Sequence, residues 1–308
     1  MKIVYMGTPE FAVICGEALR KRGYDIATVV TVPDKQQGRG LQLQPSPVKV
    51  WATEHGLPIL QPEKLKDAQF IEQIRSLAPD LIVVVAFRIL PKEIFTLPKF
   101  GAFNLHGSLL PKYRGAAPIQ WALINGDKET GVTTFFLQEK VDTGNMILQE
   151  KLAIGANETF GELYTRLAEL GADTTVRTVE MIERGATQSM KQDDILATPA
   201  PKITKEICKL DWTKSASSIH NLIRGVSPVP GAWTVLNNSV FKIFLSLPSD
   251  RTGSAHNPGT CIIEKSKLFV QTGEDVLEIL EAQCEGRKRT TAANLIQGRN
   301  VKDGDILG

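Results

Sequence analysis

Asn104 and His106 stand two positions apart in FNLHGSLLPKYRG (103–115), and Asp142 follows later in VDTG. On an extended strand residues i and i+2 share a face, so the amide and the imidazole project together. Both groups can hydrogen-bond one oxygen that gains negative charge. A carboxylate beside an imidazole fixes the ring's orientation and favours its protonated form. The three residue types therefore suit the attack of a nucleophile on a carbonyl. Each also has an ordinary structural reading. A polar pair often finishes a strand, and Asp with Gly two positions on is common turn chemistry. Convergence on one crevice is what separates the readings.

Convergence needs strands that end at one edge. The first half of the chain alternates strand and helix signals in that way. KIVYM (2–6) is an apolar run, after which Thr8 is expected to cap a helix with Pro9 in its first turn and Glu10 complementing the dipole. Phe11, Ile14, Cys15, Ala18 and Leu19 recur at helical spacing up to Gly23. IATVVTV (26–32) is the next strand, and Ser46-Pro47 opens a helix ending near Gly56. LIVVVAF (81–87) is so uniformly apolar that it predicts a central parallel strand covered on both faces, and AFNLHG (102–107) follows it. This rhythm predicts an α/β fold with a doubly wound, mostly parallel sheet, whose ligands bind outside the carboxyl ends of the strands. VTTFFLQ (132–138) is a further strand, which places Asp142 just past it at the same edge. EKVDTGNMILQEKLAI then reads as a loop followed by another strand.

Thr159 and Glu162 make a capping box for a long helix running toward Gly185, with Leu163, Leu167, Leu170, Val176, Val179 and Ile182 as its apolar stripe. The organisation expected is a first domain over 1–188, a polar, Pro-containing linker over 189–212, and a second domain over 213–308. The second domain opens with a short helix near 215–224. AWTVL, VFKIFLSL, GTCIIEK, KLFVQTG and VLEILEAQC then predict a small antiparallel barrel or sheet.

A length of 308 residues suits two domains, and the 42% hydrophobic content provides a sizeable core. With 36 Lys+Arg against 34 Asp+Glu, global charge announces no nucleic-acid partner, so any such claim rests on local patches. Cys15, Cys208, Cys261 and Cys284 form no C-x-x-C pair, and the cytoplasm is the expected compartment. His55, His106, His220 and His256 lie far apart, which gives a metal site little support. GTPEFA lacks the G-x-G-x-x-G pattern, and Val32-Pro33 stands where a ribose-binding acid would be, so a nicotinamide cofactor is not expected. The apolar start breaks at Gly7-Thr8-Pro9, too early for a signal peptide, and no apolar run approaches membrane-spanning length.

Asn104-Leu-His106-Gly-Ser-Leu-Leu-Pro111, then Tyr113-Arg-Gly-Ala-Ala-Pro118, then Asp142-Thr-Gly144, resembles the 10-formyltetrahydrofolate-dependent formyltransferases. GTPEFA, PDKQQGRG with PSPVK, and IRGVSPVPGAW carry the resemblance along nearly the whole chain, to the branch that acts on charged initiator tRNA. The resemblance implies a formyltransferase-type Rossmann-like domain followed by an OB-like barrel. It implies 10-formyltetrahydrofolate as co-substrate and methionyl initiator tRNA as acceptor; a monomer with no metal and no membrane association is the expectation beside it. By the same resemblance Asn104 and His106 contact the formyl oxygen, while Asp142 tunes the histidine and helps relay a proton. Ser108, Leu109, Leu110 and Pro111 match the family's folate-contact segment. Phe87, Arg88, Ile89 and Leu90 match its pterin loop, although Ala86–Pro91 is one residue shorter than the family's A-Y-G-x-I-L-P and lacks its glycine.

The connection over 33–49 is too long for this fold class. By resemblance it enters the acceptor arm, with Lys35, Arg39 and Lys49 as its cations. Arg287, Lys288 and Arg289 make a local basic run suited to a phosphate backbone. Two alternatives stand beside this reading: transfer to an amino-sugar nucleotide, and a catalytically silent RNA-binding protein. The Gly-Arg-Gly loop and PVPGAW weigh against the first, and retention of all three polar residues weighs against the second.

Overall fold

The computed structural model describes residues 1–37, 42–252 and 256–308. In chain order come β1 (Lys2–Gly7), α1 (Glu10–Lys21), β2 (Asp25–Val30), β3 (Lys35–Gln37), β4 (Gln42–Gln44), α2 (Pro47–Glu54) and β5 (Ile59–Leu60). Next are α3 (Ala68–Ser76), β6 (Leu81–Val85), α4 (Lys92–Phe95), β7 (Ala102–His106), β8 (Arg114–Gly115) and α5 (Pro118–Ile124). β9 (Glu129–Phe136), β10 (Met146–Ala153), α6 (Phe160–Glu183) and β11 (Pro199–Ala200) follow. The last elements are α7 (Ala216–Gly225), β12 (Ala232–Leu236), β13 (Ser239–Thr252), β14 (Cys261–Glu264), β15 (Lys267–Gln271), β16 (Asp275–Cys284), β17 (Thr290–Thr291) and α8 (Ala292–Gln297).

The chain forms two compact units. The first comprises Met1–Pro118, Thr130–Leu152 and Tyr164–Ala200; the second comprises Ile119–Glu129, Ala153–Leu163 and Pro201–Gly308. In the first, a seven-stranded sheet runs β10–β9–β7–β6–β1–β2–β5. β5, β2, β1, β6 and β7 pair in parallel, and β9 lies antiparallel to β7. β6 is buried at every residue, as its unbroken apolar run requires of a strand covered on both faces. The chain moves outward from β1 to β5, then returns to place β6 on the other side of β1. In open sheets of this kind ligands bind outside the carboxyl ends at such a reversal, and β7 is the parallel neighbour of β6 there.

Local signals explain several helix starts. Ser46 Oγ accepts the Lys49 N–H at 3.1 Å and caps α2. The Thr159 N–H donates to Glu162 Oε2 at 2.8 Å, and the Glu162 N–H returns to Thr159 Oγ1 at 3.4 Å, completing the capping box of α6. The expected Thr8 cap is corrected. Pro9 occupies the N-cap of α1 with no side-chain cap bond, and its carbonyl accepts the Ala12 N–H at 2.9 Å. Pro pre-set for the helix leaves the preceding hydroxyl one position too early.

α6 buries more than its apolar stripe. Leu170 and Val176 are only partly buried, whereas Thr174, Thr175 and Thr178 are fully buried. Each of these hydroxyls donates to the carbonyl four residues back at 2.7 Å, which removes the cost of burying it. The 33–49 connection also holds structure beyond a loop, since β3 and β4 pair antiparallel.

In the second unit a sheet ordered β12–β13–β16–β15–β14 pairs antiparallel throughout, with β17 on β16. The carboxyl terminus joins its two edges. Gly308 and Val235 exchange both backbone bonds at 3.0 Å, while the Leu307 N–H reaches Gly259 O at 2.9 Å and the Cys261 N–H reaches Asp305 O at 2.7 Å. Residues 305–308 thus bond the backbone at or beside both edge strands, β12 and β14, which partly covers those edges. Arg224, 5% exposed, ties the earlier segments into this unit. Its guanidinium donates to Asn221 Oδ1 at 2.8 Å and to the carbonyls of Gly155 (3.3 Å), Glu158 (3.4 Å) and Leu123 (3.5 Å). A buried cation is tolerated because its donors are met in this way.

Candidate active site

β7 alternates between two environments. Phe103 and Leu105 are buried on one face, and Ala102 joins Ile82 and Val84 in the apolar cluster of the other. Asn104 and His106 share the face of Ala102 and lie opposite Phe135 and Thr133 of β9. The Asn104 side chain is partly exposed, and among the described residues none hydrogen-bonds its carboxamide.

His106 is 6% exposed, and its ring packs edge-on to Phe135 at 6.5 Å. Nε2 lies 2.8 Å from the Tyr113 carbonyl, an acceptor only, so Nε2 carries a proton. The neutral ring therefore has its lone pair on Nδ1, and Nδ1 faces Asp142 Oδ2 at 3.9 Å. That separation is ion-pair range rather than a hydrogen bond. Oδ2 is also held by the Gly115 N–H at 2.9 Å. Asp142 sits in the left-handed region at φ 54°, a conformation Asp tolerates better than most residues. Gly144 follows where a Cβ would lie 1.6 Å from Phe136 O, so only glycine lets the turn pass the end of β9. The amide, the imidazole and the carboxylate thus gather at the carboxyl end of β7.

The loop after β7 is stiffened from below. Ser108 is fully buried, and its hydroxyl donates to Lys112 O at 2.6 Å. Thr133 Oγ1 donates to Ser108 O at 2.7 Å and accepts the Leu110 N–H at 3.2 Å. Gln149 Nε2 donates to Leu110 O and to Thr133 Oγ1, both at 3.0 Å. Leu110 is buried, and Leu109 Cδ2 would meet a Cβ placed on Gly131 at 2.6 Å. Pro111 is half-buried at the turn.

Beside this loop, 86–91 leaves β6, the parallel neighbour of β7. Phe87 and Arg88 are half-buried, Ile89 is 73% exposed and Leu90 is buried. Arg88 turns its guanidinium onto the carbonyls of Pro62 (2.6 Å) and Glu63 (2.9 Å), with Phe87 below it at 5.2 Å. Burial lowers the pKa of this guanidinium.

Sequence reasoning missed Gln149, Tyr113, Arg114 and Gln192. Gln192, 4% exposed, donates from Nε2 to the carbonyls of Asp142 (2.9 Å) and Gly144 (2.8 Å). Nothing in KQDD marks it, because a lone glutamine in polar sequence carries no periodicity. Tyr113 and Arg114 lie inside a motif the sequence does show, and they act through backbone and fork geometry.

Residues 1–179 match the family described as formyl transferase, and residues 202–300 match its C-terminal domain. Methionyl-tRNA formyltransferase of Porphyromonas gingivalis is 46% identical, over 97% of this chain and 95% of its own. That of Alkaliphilus oremlandii is 46% identical over 100% of both. The chain belongs to the methionyl-tRNA formyltransferase family. The fold extends further: an N-formyltransferase of Helicobacter canadensis, solved with folinic acid and dTDP-3-aminofucose, superposes with a TM-score of 0.66 at 22% identity. That superposition covers 91% of this chain and 99% of the other.

Several of the cations expected to meet RNA are engaged with their own neighbours. Lys35 is exposed on β3, while Lys49 Nζ pairs with Asp34 Oδ2 at 2.6 Å and holds that carboxyl below its usual range, helped by Gln61. Arg39 lies outside the described residues. Arg287, Lys288 and Arg289 are all exposed. Arg287 donates to Asn300 Oδ1 at 2.5 Å, and Arg289 pairs with Glu281 Oε2 at 2.5 Å above the Phe244 ring. Among the described residues no cluster of His, Cys, Asp and Glu could hold a metal, and no helix is long and apolar enough to cross a membrane.

Proposed function

We propose that the chain transfers the formyl group of 10-formyltetrahydrofolate to the α-amino group of methionyl initiator tRNA, working as a monomer in the cytoplasm. The observation that carries the mechanism is the arrangement of Asn104, His106 and Asp142 at the end of β7, in a chain 46% identical to named methionyl-tRNA formyltransferases. The amine nitrogen attacks the formyl carbon and forms the new C–N bond. Charge collects on the formyl oxygen, where the Asn104 carboxamide donates a hydrogen bond. His106 joins it once a proton reaches Nδ1, because Nε2 is already committed to Tyr113. Asp142, 3.9 Å away, stabilises that imidazolium.

Collapse breaks the bond to N10, and one amine proton passes by way of Nδ1 to N10. Tetrahydrofolate leaves with its electron pair and that proton. An α-amino group with a reference pKa of about 7.7–8.0 retains a neutral fraction near neutrality, so no strong base is required. No covalent enzyme intermediate is needed either, and the Ser108 hydroxyl beside the site is spent on Lys112.

Phe87, Ile89 and Leu90 with the Ser108–Pro111 turn are assigned to the folate. The Asn104 amide, free of hydrogen bonds among the described residues, and the apolar edge at exposed Ile89 fit a flat ring system carrying one polar reacting group. Arg88 is read as a prop of that loop. Lys35, Arg39, Lys49 and Arg287–Arg289 are assigned to the tRNA backbone, with catalysis assigned to 1–188 and tRNA binding to 213–308; the 189–212 stretch between them is where the chain passes from the first compact unit to the second, its 201–212 part packing with the second. The test is incubation of the purified chain with 10-formyltetrahydrofolate and either charged initiator tRNA or an amino-sugar nucleotide. Formylmethionyl-tRNA is expected; product from the sugar alone would sink the reading.

A further inference from the structure

The Asp142 turn is held by a contact that formyl transfer as outlined does not use. Gln192 spends both Nε2 hydrogens on Asp142 O (2.9 Å) and Gly144 O (2.8 Å). Its Oε1 accepts two donors from Arg114, Nε at 3.1 Å and Nη2 at 2.8 Å. Arg114 in turn pairs with Asp194 Oδ1 at 2.7 Å, an interaction that holds that carboxyl below its usual range. The residue after Arg114 supplies the Gly115 N–H on Asp142 Oδ2, and the residue before it supplies the Tyr113 carbonyl on His106 Nε2. This stretch is itself fixed to 198–200: the Tyr113 N–H donates to Thr198 Oγ1 at 2.8 Å, the Arg114 N–H donates to Thr198 O at 2.9 Å, and β8 pairs with β11. The contacts form a closed ring through His106, Tyr113, Arg114, Gln192, Asp142 and Gly115.

We infer that Gln192 is a positioning residue of the reaction, which sets the separation between His106 Nδ1 and Asp142 Oδ2 by bracing the 142–144 turn against Arg114. This rests on the formyl-transfer reading. The physical argument has two parts. A left-handed Asp is better tolerated than most residues but still carries some backbone strain, and the two carbonyls flanking that turn are gripped by one amide. At 3.9 Å the ion pair has no hydrogen bond of its own to fix its geometry, so the backbone must do so. Gln192 divides all four of its side-chain hydrogen bonds between the turn and the residue that precedes Gly115, which couples the two supports of the carboxylate.

The test is Gln192→Glu in the full chain. It preserves size and the Arg114 contact but turns both donors into an anion facing two carbonyls. We expect kcat to fall about 10- to 100-fold, as displacement of a reacting group by about 1 Å does, with KM for folate and for tRNA within about threefold of wild type. Because Gln192 acts through Asp142, the double variant with Asp142→Asn should be no slower than Asp142→Asn alone. A folded Gln192→Glu protein with wild-type kcat, or losses that multiply in the double variant, would overturn the inference. If Gln192→Glu melts below the assay temperature, Arg114→Lys takes its place. A single ammonium cannot fill Oε1 twice, so the same loss of kcat at unchanged KM is expected, and full kcat overturns the inference. Wild-type protein that formylates nothing overturns the function and this inference together, whereas an active wild type with unaffected variants overturns the inference alone.

Discussion

The end of β7 and the basic run at 287–289 spend their polar groups in opposite ways. At β7 two of the groups are committed through one atom and left open at another, and the third is committed to none of the described residues. His106 gives Nε2 to Tyr113 and keeps Nδ1, Asp142 gives Oδ2 to Gly115, and Asn104 gives nothing to the described residues. At 287–289 the guanidinium heads of Arg287 and Arg289 rest on Asn300 and Glu281, at the surface. The first pattern fixes direction at a point, as stabilisation of a developing charge requires. On the proposed assignment of this run to the tRNA backbone, the second supplies positive charge with little directional demand. Geometry therefore decides the worth of a residue in one region, and exposure decides it in the other.

The sharpest way to break this contrast is Asn104→Ala. Loss of one oxyanion donor should lower kcat by about 10²- to 10³-fold. Because none of the described residues hydrogen-bonds that carboxamide, its removal strands no buried partner among them, and the melting temperature should move by no more than a few degrees. Steady-state kinetics beside thermal melting check both halves. A large drop in melting temperature with activity intact would make Asn104 a structural strand-end residue.

Smaller is the effect expected of replacing Arg287, Lys288 and Arg289 together by Ala. KM for charged tRNA should rise roughly tenfold at low salt and approach wild type at high salt, with kcat within about twofold. The salt dependence of log KM should flatten by about 0.7–0.9 for each phosphate that the variant no longer neutralises. Kinetics across an ionic-strength series give that slope, and an unchanged slope would remove this run from the RNA interface.

The same contrast separates what the amino-acid sequence discloses from what only the fold reveals. β6 is legible because a strand covered on both faces leaves no polar position, and its five residues are all buried. The Asn104–His106 pair is legible because a spacing of two fixes a shared face whatever the surrounding packing. The Ser46 cap and the Thr159–Glu162 box are legible because their partners lie three residues away. Gln192 is not, since its partners lie 48, 50 and 78 residues back in sequence and meet it only through the fold. Nor are the buried threonines of α6, whose hydroxyls are polar by composition and satisfied only by the helix that forms around them. Thr8 misleads for a local reason: Pro9 takes the cap position, although capping propensity ranks the hydroxyl above it.

The least of the expected effects concerns His220, the counterpart of His106 in the second unit. α7 buries it to 5% exposure, with Nδ1 3.1 Å from Ser246 Oγ of β13. Burial, with the Arg224 guanidinium adding to it, pushes its pKa below the ordinary histidine value. The native state therefore holds fewer protons than the unfolded chain once the pH drops below about 6.5, the reference value for an unfolded histidine. Its contribution to stability is whole above that pH and declines as the pH falls from there through the lower native pKa. One proton accounts for at most about 1.4 kcal/mol per pH unit. Urea unfolding of wild type and His220→Gln at about pH 7.5, 6.0 and 5.0 isolates this contribution from the carboxylates, which titrate in both proteins. Wild type should lose stability faster than the variant across that window. Parallel losses would show that the ring is protonated as easily inside α7 as in water, and that its burial costs the fold nothing.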